Sequence, residues 1–510
     1  MHNAIHPRLL AGPITILVVL TCVLAGPTAL SSDFGAWDSA SGLRGTAGAE
    51  ASFLDRRELE PRRIANRLSL IARLAGYSVA RGTMEVQDSE SCADIDGFCI
   101  GANPDSPYLY PVTESSDEPQ FGSFTLTRDQ ALVIIGRTPP EVRYYGVTSY
   151  LFDRAKDEGG GGALARQPIF GSLYDTLNLN TIGYDGDSPF EAFTVIVVTP
   201  NRALFEQILQ PTLTFLRVPP KSVNLQEVAE STPILLGSDS SADRLSVLFR
   251  IAFPSAQPAL SEYLDRVDET FQVLTLDFAG SGLYQEYFPR AYTPSGSGTS
   301  EPAGLQQSLD ALVDAIVEKY TIPGQREAEI AQTALFEDEE RGPQPRGQTC
   351  IEKEIACGGD NPDARYYQPA FTPFATKLPD NPNSFRILVG VDHTKTGKAT
   401  YVNYALTRLR NLVGILSISD QDFAGSAAYH SGNPGVVDGE RLYAYMFARD
   451  CSGISFCIEV PLEGEDPLGA SVDDRLYFTK RVYLDPATNT GPEASELIPG
   501  YTLRFGPPTP

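Results

Sequence analysis

Apolar residues along this chain mostly alternate with polar ones or gather in short runs, a pattern that predicts strands. Residues 124–127 alternate, 131–135 form an unbroken apolar run, and 143–152 are rich in Tyr, Val and Thr. Residues 193–198 and 245–253 continue this series, and 385–391, 399–406, 412–418, 442–447 and 476–484 form a second one. Side chains of these types suit a pleated, half-buried surface, and short runs bounded by turn residues read as strands. Helical spacing is rarer. In 61–76, Ile64, Leu68, Ile71 and Leu74 make one apolar stripe and Arg62, Arg63, Arg67 and Arg73 lie largely off it, with Pro61 and Gly76 as punctuation. Residues 202–209, 260–274 and 305–320 share the spacing, with Leu305, Leu309, Leu312 and Ile316 on one face. The acidic stretch 327–341 reads as a helix or a solvated tail to one.

Two matches in the same order divide the chain into repeats. Cys92, Cys99, Gly101, Asn103-Pro104-Asp105, Tyr108 and Pro111 recur at an offset of 258 as Cys350, Cys357, Gly359, Asn361-Pro362-Asp363, Tyr366 and Pro369. Asp243-Arg244-Leu245 with Arg250 recurs at an offset of 231 as Asp474-Arg475-Leu476 with Arg481. The organisation this predicts is a signal peptide over 1–25, a flexible leader over 26–60, and a first β-rich repeat with an N-terminal helix over 61–254. A helical connection over 255–345 and a second β-rich repeat over 346–510 follow. The fold class is mainly β with accessory helices: two duplicated β-sandwich or jelly-roll-like domains joined by a helical connection.

The export signal rests on Arg8, the apolar run over 14–25 and the small residues at its end. An uncleaved anchor is the alternative, since 9–25 is close to the shortest membrane span. No later segment is long and apolar enough to span. Apart from Cys22 there are six cysteines in three close pairs, which in an oxidising compartment read as local disulfides 92–99, 350–357 and 451–457. The spacing is too wide for ordinary zinc pairs and no histidine adjoins them, so no metal or cofactor is expected. The protein is expected to be secreted, or periplasmic if bacterial. The formal net charge of -25 argues against nucleic acid and anionic membranes as partners.

The run Asn103-x-Asp105-Ser106-x-Tyr108, the apolar residues 133–135, residues 140–153 and Phe170-Gly171 resemble secreted bacterial proteins built from paired uncharacterised jelly-roll domains. Those proteins carry an Asn-x-Asp-Thr-x-Tyr and an Arg-Tyr-Tyr pattern. The resemblance covers about 60 residues of the first repeat and, in the second, Asn361-x-Asp363-x-x-Tyr366. It implies the fold and no activity.

Two sets of residues are candidates for chemistry. Asn103, Asp105, Tyr108, Asn361, Asp363 and Tyr366 could present carboxylates and rings to a ligand, although Asn-Pro-Asp is also a good rigid turn by itself. Asp94, Asp96, Glu352 and Glu354 could add oxygen ligands for calcium, but without the spacing of a calcium loop. His393 and His430 are the histidines available as a general base in a mature chain, with Asp420 or Asp422 to orient them. A Ser426-His-Asp arrangement can be drawn without a Gly-x-Ser-x-Gly elbow, and Asp420, Asp422 or Asp450 could serve a glycosidase. Loop histidines and turn residues with no chemical role are the plain alternative. The leading function is non-catalytic binding of an extracellular small molecule or glycan, at or between the repeats. A secreted hydrolase with its site in the second repeat comes next, and a structural or surface protein third.

Overall fold

A computed structural model of the chain describes residues 48–93, 103–116, 122–157, 164–229, 234–252, 258–287, 291–335, 337–338, 342–343, 346–371 and 375–508, with side chains from residue 60. The expected signal peptide, the start of the leader, Asp94, Asp96 and Cys99 lie outside the described residues.

The protein is mainly β, with two curled sheets. The first holds β1 (Ser78–Gln87), β2 (Tyr108–Val112), β3 (Gln130–Arg137), β4 (Tyr144–Asp157), β5 (Leu164–Ser172), β6 (Phe193–Thr199), β7 (Val223–Glu227), β8 (Arg244–Ala252) and β9 (Gln272–Asp277). The second holds β10 (Glu327–Leu335), β11 (Ala364–Pro369), β12 (Phe385–Val391), β13 (Tyr401–Arg408), β14 (Val413–Ser419), β15 (Leu442–Ala448), β16 (Cys457–Glu459), β17 (Leu476–Tyr483) and β18 (Tyr501–Gly506). Across the first sheet the order is β5-β4-β8-β2-β1-β9-β3-β6-β7, and across the second β14-β13-β17-β11-β10-β18-β12-β15-β16. Adding nine to each label of the first order gives the second. In both, the last pair, β6–β7 and β15–β16, is parallel and every other neighbour antiparallel. A two-residue strand, Leu177–Asn178, also pairs with β4.

Both sheets bury both faces of their centre. In β3 and β6, Leu132, Ile134, Ile196 and Val198 face the interior of the curl. Ala131, Val133, Ile135, Val195 and Val197 pack outward against helix α1 (Gly48–Leu74) through Ile64 and Leu68, and against the helical segment 202–215. That two-sided burial is why these strands read as unbroken apolar runs. In the second copy, Ile387, Val389 and Val391 of β12 pack on the helix Gly304–Tyr320, whose Leu305, Leu309, Leu312 and Ile316 are buried as their spacing requires.

Three expectations change. The stretch 255–345 does carry helices (Pro258–Asp265, Val267–Thr270 and Gly304–Tyr320), but it also carries β9 and β10, which sit beside β1 and β11 inside the two sheets. Helical periodicity over 260–274 breaks near Arg266, and from Gln272 the chain is strand. Glu327–Leu335 is a strand, not a helix: paired on both sides with β18 and β11, it obeys its sheet rather than its helix-forming composition. Before residue 61, the end of the expected flexible leader is helical from Gly48, with Pro61 inside the helix.

Candidate functional site

The described parts of both cysteine segments pack on the opposite copy. In the first, the short helix Ser89–Ala93 lies against β14 of the second copy, where Cys92 meets Val413 and Leu468. In the second, the helix Gly347–Lys353 lies against β5 of the first copy, and Cys350 and Ile351 are part of the first copy's core. Backbone bonds fix this crossing: Cys357 N–H donates to Ile169 O at 2.6 Å and Gly359 N–H to Phe170 O at 2.8 Å. The Cys350–Cys357 and Cys451–Cys457 disulfides are formed. Cys92 is disulfide-bonded as well, while its expected partner Cys99 lies outside the described residues.

Each segment then delivers its Asn-Pro-Asp turn to the other copy. Both turns close in the same way, with Ser106 N–H on Asn103 O (2.9 Å) and Ala364 N–H on Asn361 O (3.0 Å), and with the Asn side chain accepting from the Asp N–H two residues on. Asp363 Oδ2 accepts from Tyr144 Oη and from Asn178 Nδ2, each at 3.0 Å. Asn361 donates to Tyr144 Oη at 3.1 Å and accepts from Thr176 Oγ1 at 3.1 Å. In the reverse direction, Asp105 accepts from Tyr401 Oη, and Asn103 accepts from Asn403 Nδ2 at 3.1 Å. Burial pushes the Asp105 carboxyl up to about 6, against the Tyr401 hydrogen bond. Burial pushes Asp363 up to about 7, against Asn178 and Tyr144.

Tyr108 begins β2, and Tyr366 is the third residue of β11. Tyr108 lies opposite Arg250 and Tyr366 opposite Arg481. The Arg250 guanidinium stacks 5.7 Å from the Tyr108 ring and 5.4 Å from Tyr150, and donates to Gly359 O across the seam at 2.8 Å. Arg481 sits 5.9 Å from the Tyr366 ring and reaches Asn103 Oδ1 at 3.5 Å. The six proposed ligand residues are therefore gathered at one seam, and Asn103, Asp105, Asn361 and Asp363 are bonded across it. Asp360 adds to it by accepting from Ser172 N–H at 2.7 Å and Ser172 Oγ at 2.6 Å. Tyr144, Tyr401, Asn178 and Asn403 were not singled out from the sequence. Tyr144 belongs to the Arg-Tyr-Tyr run, and Arg250 and Arg481 to the second repeat match, so both patterns carried a signal.

Of the proposed catalytic residues, Asp420 and Asp422 lie near the Asp105 turn, where Asp420 accepts from Val402 N–H next to Tyr401, while His393 and His430 have partners of their own elsewhere. His393 is buried on both ring nitrogens: Nδ1 donates to Glu301 Oε1 at 2.8 Å and Nε2 accepts from Lys480 Nζ at 2.7 Å. Burial and then Lys480 hold its pKa below the ordinary range, so the ring is neutral. Burial also brings Lys480 down to about 8. Glu301 sits at about 2: burial pushes it up, and contacts with His393, Thr396 and the Ile498 N–H outweigh that. His430 Nε2 donates to Phe456 O at 3.0 Å and Nδ1 accepts from Tyr320 Oη at 2.9 Å, and burial lowers it to about 4. Ser426 Oγ donates to Phe423 O (2.6 Å) and accepts from Ala444 N–H (3.1 Å), so it forms no pair with His430. Asp420 pairs with Arg143 of the first copy at 2.6 Å. Asp422 caps its own short helix by accepting from Ser419 N–H, and Asp450 accepts from Ser452 N–H in a turn. The calcium reading finds no support in its described members: Glu352 accepts from Gln348 and Glu354 from Arg154. Among the described residues no group of three or more His, Cys, Asp or Glu could hold a metal.

Beside the Asn361-Pro362-Asp363 turn lies a cavity of about 320 Å³ lined by both copies. Its walls include Tyr174, Asp175, Thr176 and Gln226 from the first and Thr488, Asn489 and Thr490 from the second. The turn supports this wall, since Thr176 holds Asn361 and Thr490 Oγ1 donates to Pro362 O at 3.3 Å. In a larger recess of about 470 Å³, Arg410 meets Glu463 at 2.6 Å and Asp474 at 3.1 Å, and Arg408 donates to Asn411 Oδ1 at 3.0 Å and Gly469 O at 2.8 Å.

No protein-family model matches the chain, and comparison with curated proteins finds no match. Among solved structures it is similar to an uncharacterised protein from Burkholderia cenocepacia, at 11% identity and a TM-score of 0.35, covering 91% of this chain and 90% of that one. It is also similar to the VPA0106 protein of Vibrio parahaemolyticus, at 11% identity and a TM-score of 0.35, covering 88% of this chain and 99% of that one. Neither name states an activity.

Proposed function

We propose that this is an exported protein that binds a polar extracellular ligand, such as a glycan, without transforming it. The observation that supports the reading is the cavity at the seam, lined by hydrogen-bonding side chains of both copies and braced by the Asn361-Pro362-Asp363 turn. Binding sites favour such junctions between domains. The turn residues themselves act as a clasp that holds the two copies in register, rather than as ligand contacts. Disulfides fit an oxidising compartment. No helix among the described residues is long and apolar enough to cross a membrane.

The alternative, a hydrolase in the second copy, draws no support from His393 or His430, whose ring nitrogens are engaged and buried. The test is a glycan array probed with the labelled protein, run beside turnover assays on chromogenic glycosides and esters. Binding without turnover is the expected result. Turnover without saturable binding of any product-like ligand would overturn it.

A further inference from the structure

We infer that Arg346 and Arg365 form a binding site for an oxyanion, the carboxylate, sulfate or phosphate group of a small ligand; the inference does not depend on the binding role proposed above. Both guanidinium groups aim at one atom. Arg346 Nη2 and Arg365 Nη2 each donate to Ser295 Oγ at 2.5 Å, so two like charges sit side by side. Charges held so close repel unless an opposite charge offsets them.

The surrounding protein supplies little of that offset. Among the described residues Arg346 meets no carboxylate within ion-pair reach: it donates to Thr293 O at 3.1 Å and lies 5.2 Å from the Tyr292 ring centre. Arg365 donates to Ala364 O at 3.0 Å and has one carboxylate in reach, Glu493 at 3.9 Å. Glu493 is half exposed and also accepts from the Ala494 N–H. By contrast, the buried Arg154 meets Asp243 at 2.8 Å. Burial, and then Arg346, holds Arg365 below its ordinary value, against Glu493. In a chain of formal net charge -25 the pair is a local reversal of sign.

The donors are set in place by three segments. Arg346 directly precedes the helix Gly347–Lys353, Arg365 is the second residue of β11, and Ser295 lies in the strap 291–298. Gly296 lets the strap close on the 493–496 turn: its φ is +74°, and a Cβ there would fall 2.4 Å from that of Glu493. Glu496 holds the strap by accepting from the N–H groups of Ser297 (3.1 Å) and Gly298 (2.5 Å). The Tyr292 hydroxyl is anchored on Ser172 O at 2.6 Å. Groups fixed in this way lose little freedom when a ligand arrives. Ser295 Oγ accepts twice, so its own proton is left to donate, and no acceptor among the described residues takes it. Each guanidinium uses two of its five N–H donors on the protein. An oxyanion can accept from both forks and from the Ser295 hydroxyl while supplying the counter-charge, which a neutral sugar cannot do. Arg346, Ser295 and Arg365 are partly exposed, so solutes can reach them.

The test titrates inorganic phosphate into the full chain at low ionic strength, followed by phosphorus-31 NMR, with sulfate and galacturonate as competitors and glucose as the neutral control. Phosphate should bind saturably with a Kd of about 1 mM, and sulfate should displace it. Arg346→Gln and Arg365→Gln should each weaken binding at least about tenfold. Glu493→Gln, which removes the rival carboxylate, should tighten it about threefold. Arginines that only pin the strap would shift the unfolding midpoint and leave phosphate indifferent to all three substitutions. Arg346 lies on a loop, so Arg346→Gln decides the matter if Arg365→Gln does not fold. Displacement by galacturonate supports the site and admits acidic sugars; displacement by sulfate alone supports it and narrows the ligand to tetrahedral oxyanions. Displacement by glucose as effective as by sulfate would overturn the ligand class. Phosphate that does not saturate, or that binds Arg346→Gln as tightly as wild type, would overturn the site, and the glycan array decides the binding role separately.

Discussion

Tyr144 and Tyr401 are the first residues of the matching strands β4 and β13, and each donates its hydroxyl to the turn aspartate of the other copy. The bonds run in opposite directions across one seam, as in the interface of a two-fold dimer, here within a single chain. Each removes a buried carboxylate's need for water. At pH 8, where both carboxyls are ionised, Tyr144→Phe and Tyr401→Phe should therefore each destabilise the protein by about 1.5–3 kcal/mol, the range for hydrogen bonds to charged groups. Urea unfolding followed by fluorescence and by far-ultraviolet circular dichroism measures this. A loss under about 0.5 kcal/mol in both variants would show that the clasp does not hold the copies together.

The crossing of the cysteine segments makes the copies interdependent. Ile351 and Cys350 complete the first copy's core, and Cys92 packs on the second copy. A chain ending at residue 303 should lack part of its core and expose the β5 edge, and so aggregate when expressed alone. Co-expression of 48–303 with 304–510 as two chains should give a soluble one-to-one complex, read by size-exclusion chromatography. Two separately stable, monomeric halves would contradict the exchange.

Much of this architecture was legible in the sequence, and the missing part has a physical cause. The cysteine spacing and the Asn-Pro-Asp turns marked two equivalent copies, and the apolar runs at 131–135 and 385–391 marked strands. The repeat says that Asp105 and Asp363 are equivalent, but equivalence holds whether each turn docks on its own copy or on the other. The crossing depends on contacts such as Cys357 to Ile169, which no local pattern encodes. β9 was hidden because Val273, Leu274 and Leu276 continue the spacing of the preceding helices, and β10 because Glu327, Ala328 and Glu329 favour helix in isolation. His393 attracted attention as one of two histidines available in a mature chain, yet its surroundings make it a core group.

Asp363 gives a pH dependence with a definite sign. Its folded carboxyl titrates near 7, above the ordinary 3.8, so between those values the folded state binds more protons than the unfolded one. Its contribution to stability is fully present below about pH 4 and is lost as pH rises through 7. Asp105, at about 6, has the same sign over a narrower window. His430 opposes them: its folded value near 4 lies below 6.5, so its contribution is lost as pH falls from about 6.5 to 4. The wild-type profile blends the two, and Asp363→Asn separates them. Relative to wild type, the variant should gain roughly 2–4 kcal/mol between pH 4 and pH 8. Chemical denaturation at these pH values measures it, and a pH-independent difference would sink the assignment.

The Cys350–Cys357 bridge should matter more than Cys451–Cys457. Both close short loops, of sequence separation 7 and 6, so their effects on the unfolded chain are similar. Cys350 and the adjoining Ile351 are fully buried in the first copy's core, whereas Cys451 and Cys457 are only partly buried. Replacing Cys350 and Cys357 by Ala removes the bridge and loosens the docking of that helix on β5, for a cost of about 3–5 kcal/mol. The same change at Cys451 and Cys457 should cost about 2 kcal/mol. Equal thermal shifts for the two variants would argue that the crossing segment is not held by its disulfide.

His393 provides the sharpest separation between a core histidine and a catalytic one. The ring bridges Glu301 and Lys480, and all three are buried. Truncating it to Ala removes a neutral ring that hydrogen-bonds both a buried carboxylate and a buried ammonium, and leaving buried charged groups short of a partner costs about 3 kcal/mol or more. His393→Ala should therefore lower the unfolding midpoint sharply. Combining it with Glu301→Gln and Lys480→Met, which removes both stranded charges, should recover part of the loss. A general base gives the reverse pattern: His393→Ala lowers turnover by about 10²–10⁴-fold at nearly unchanged stability, and the triple substitution restores nothing. Unfolding curves and hydrolase assays on the same preparations distinguish the two, and the stability pattern is the one expected.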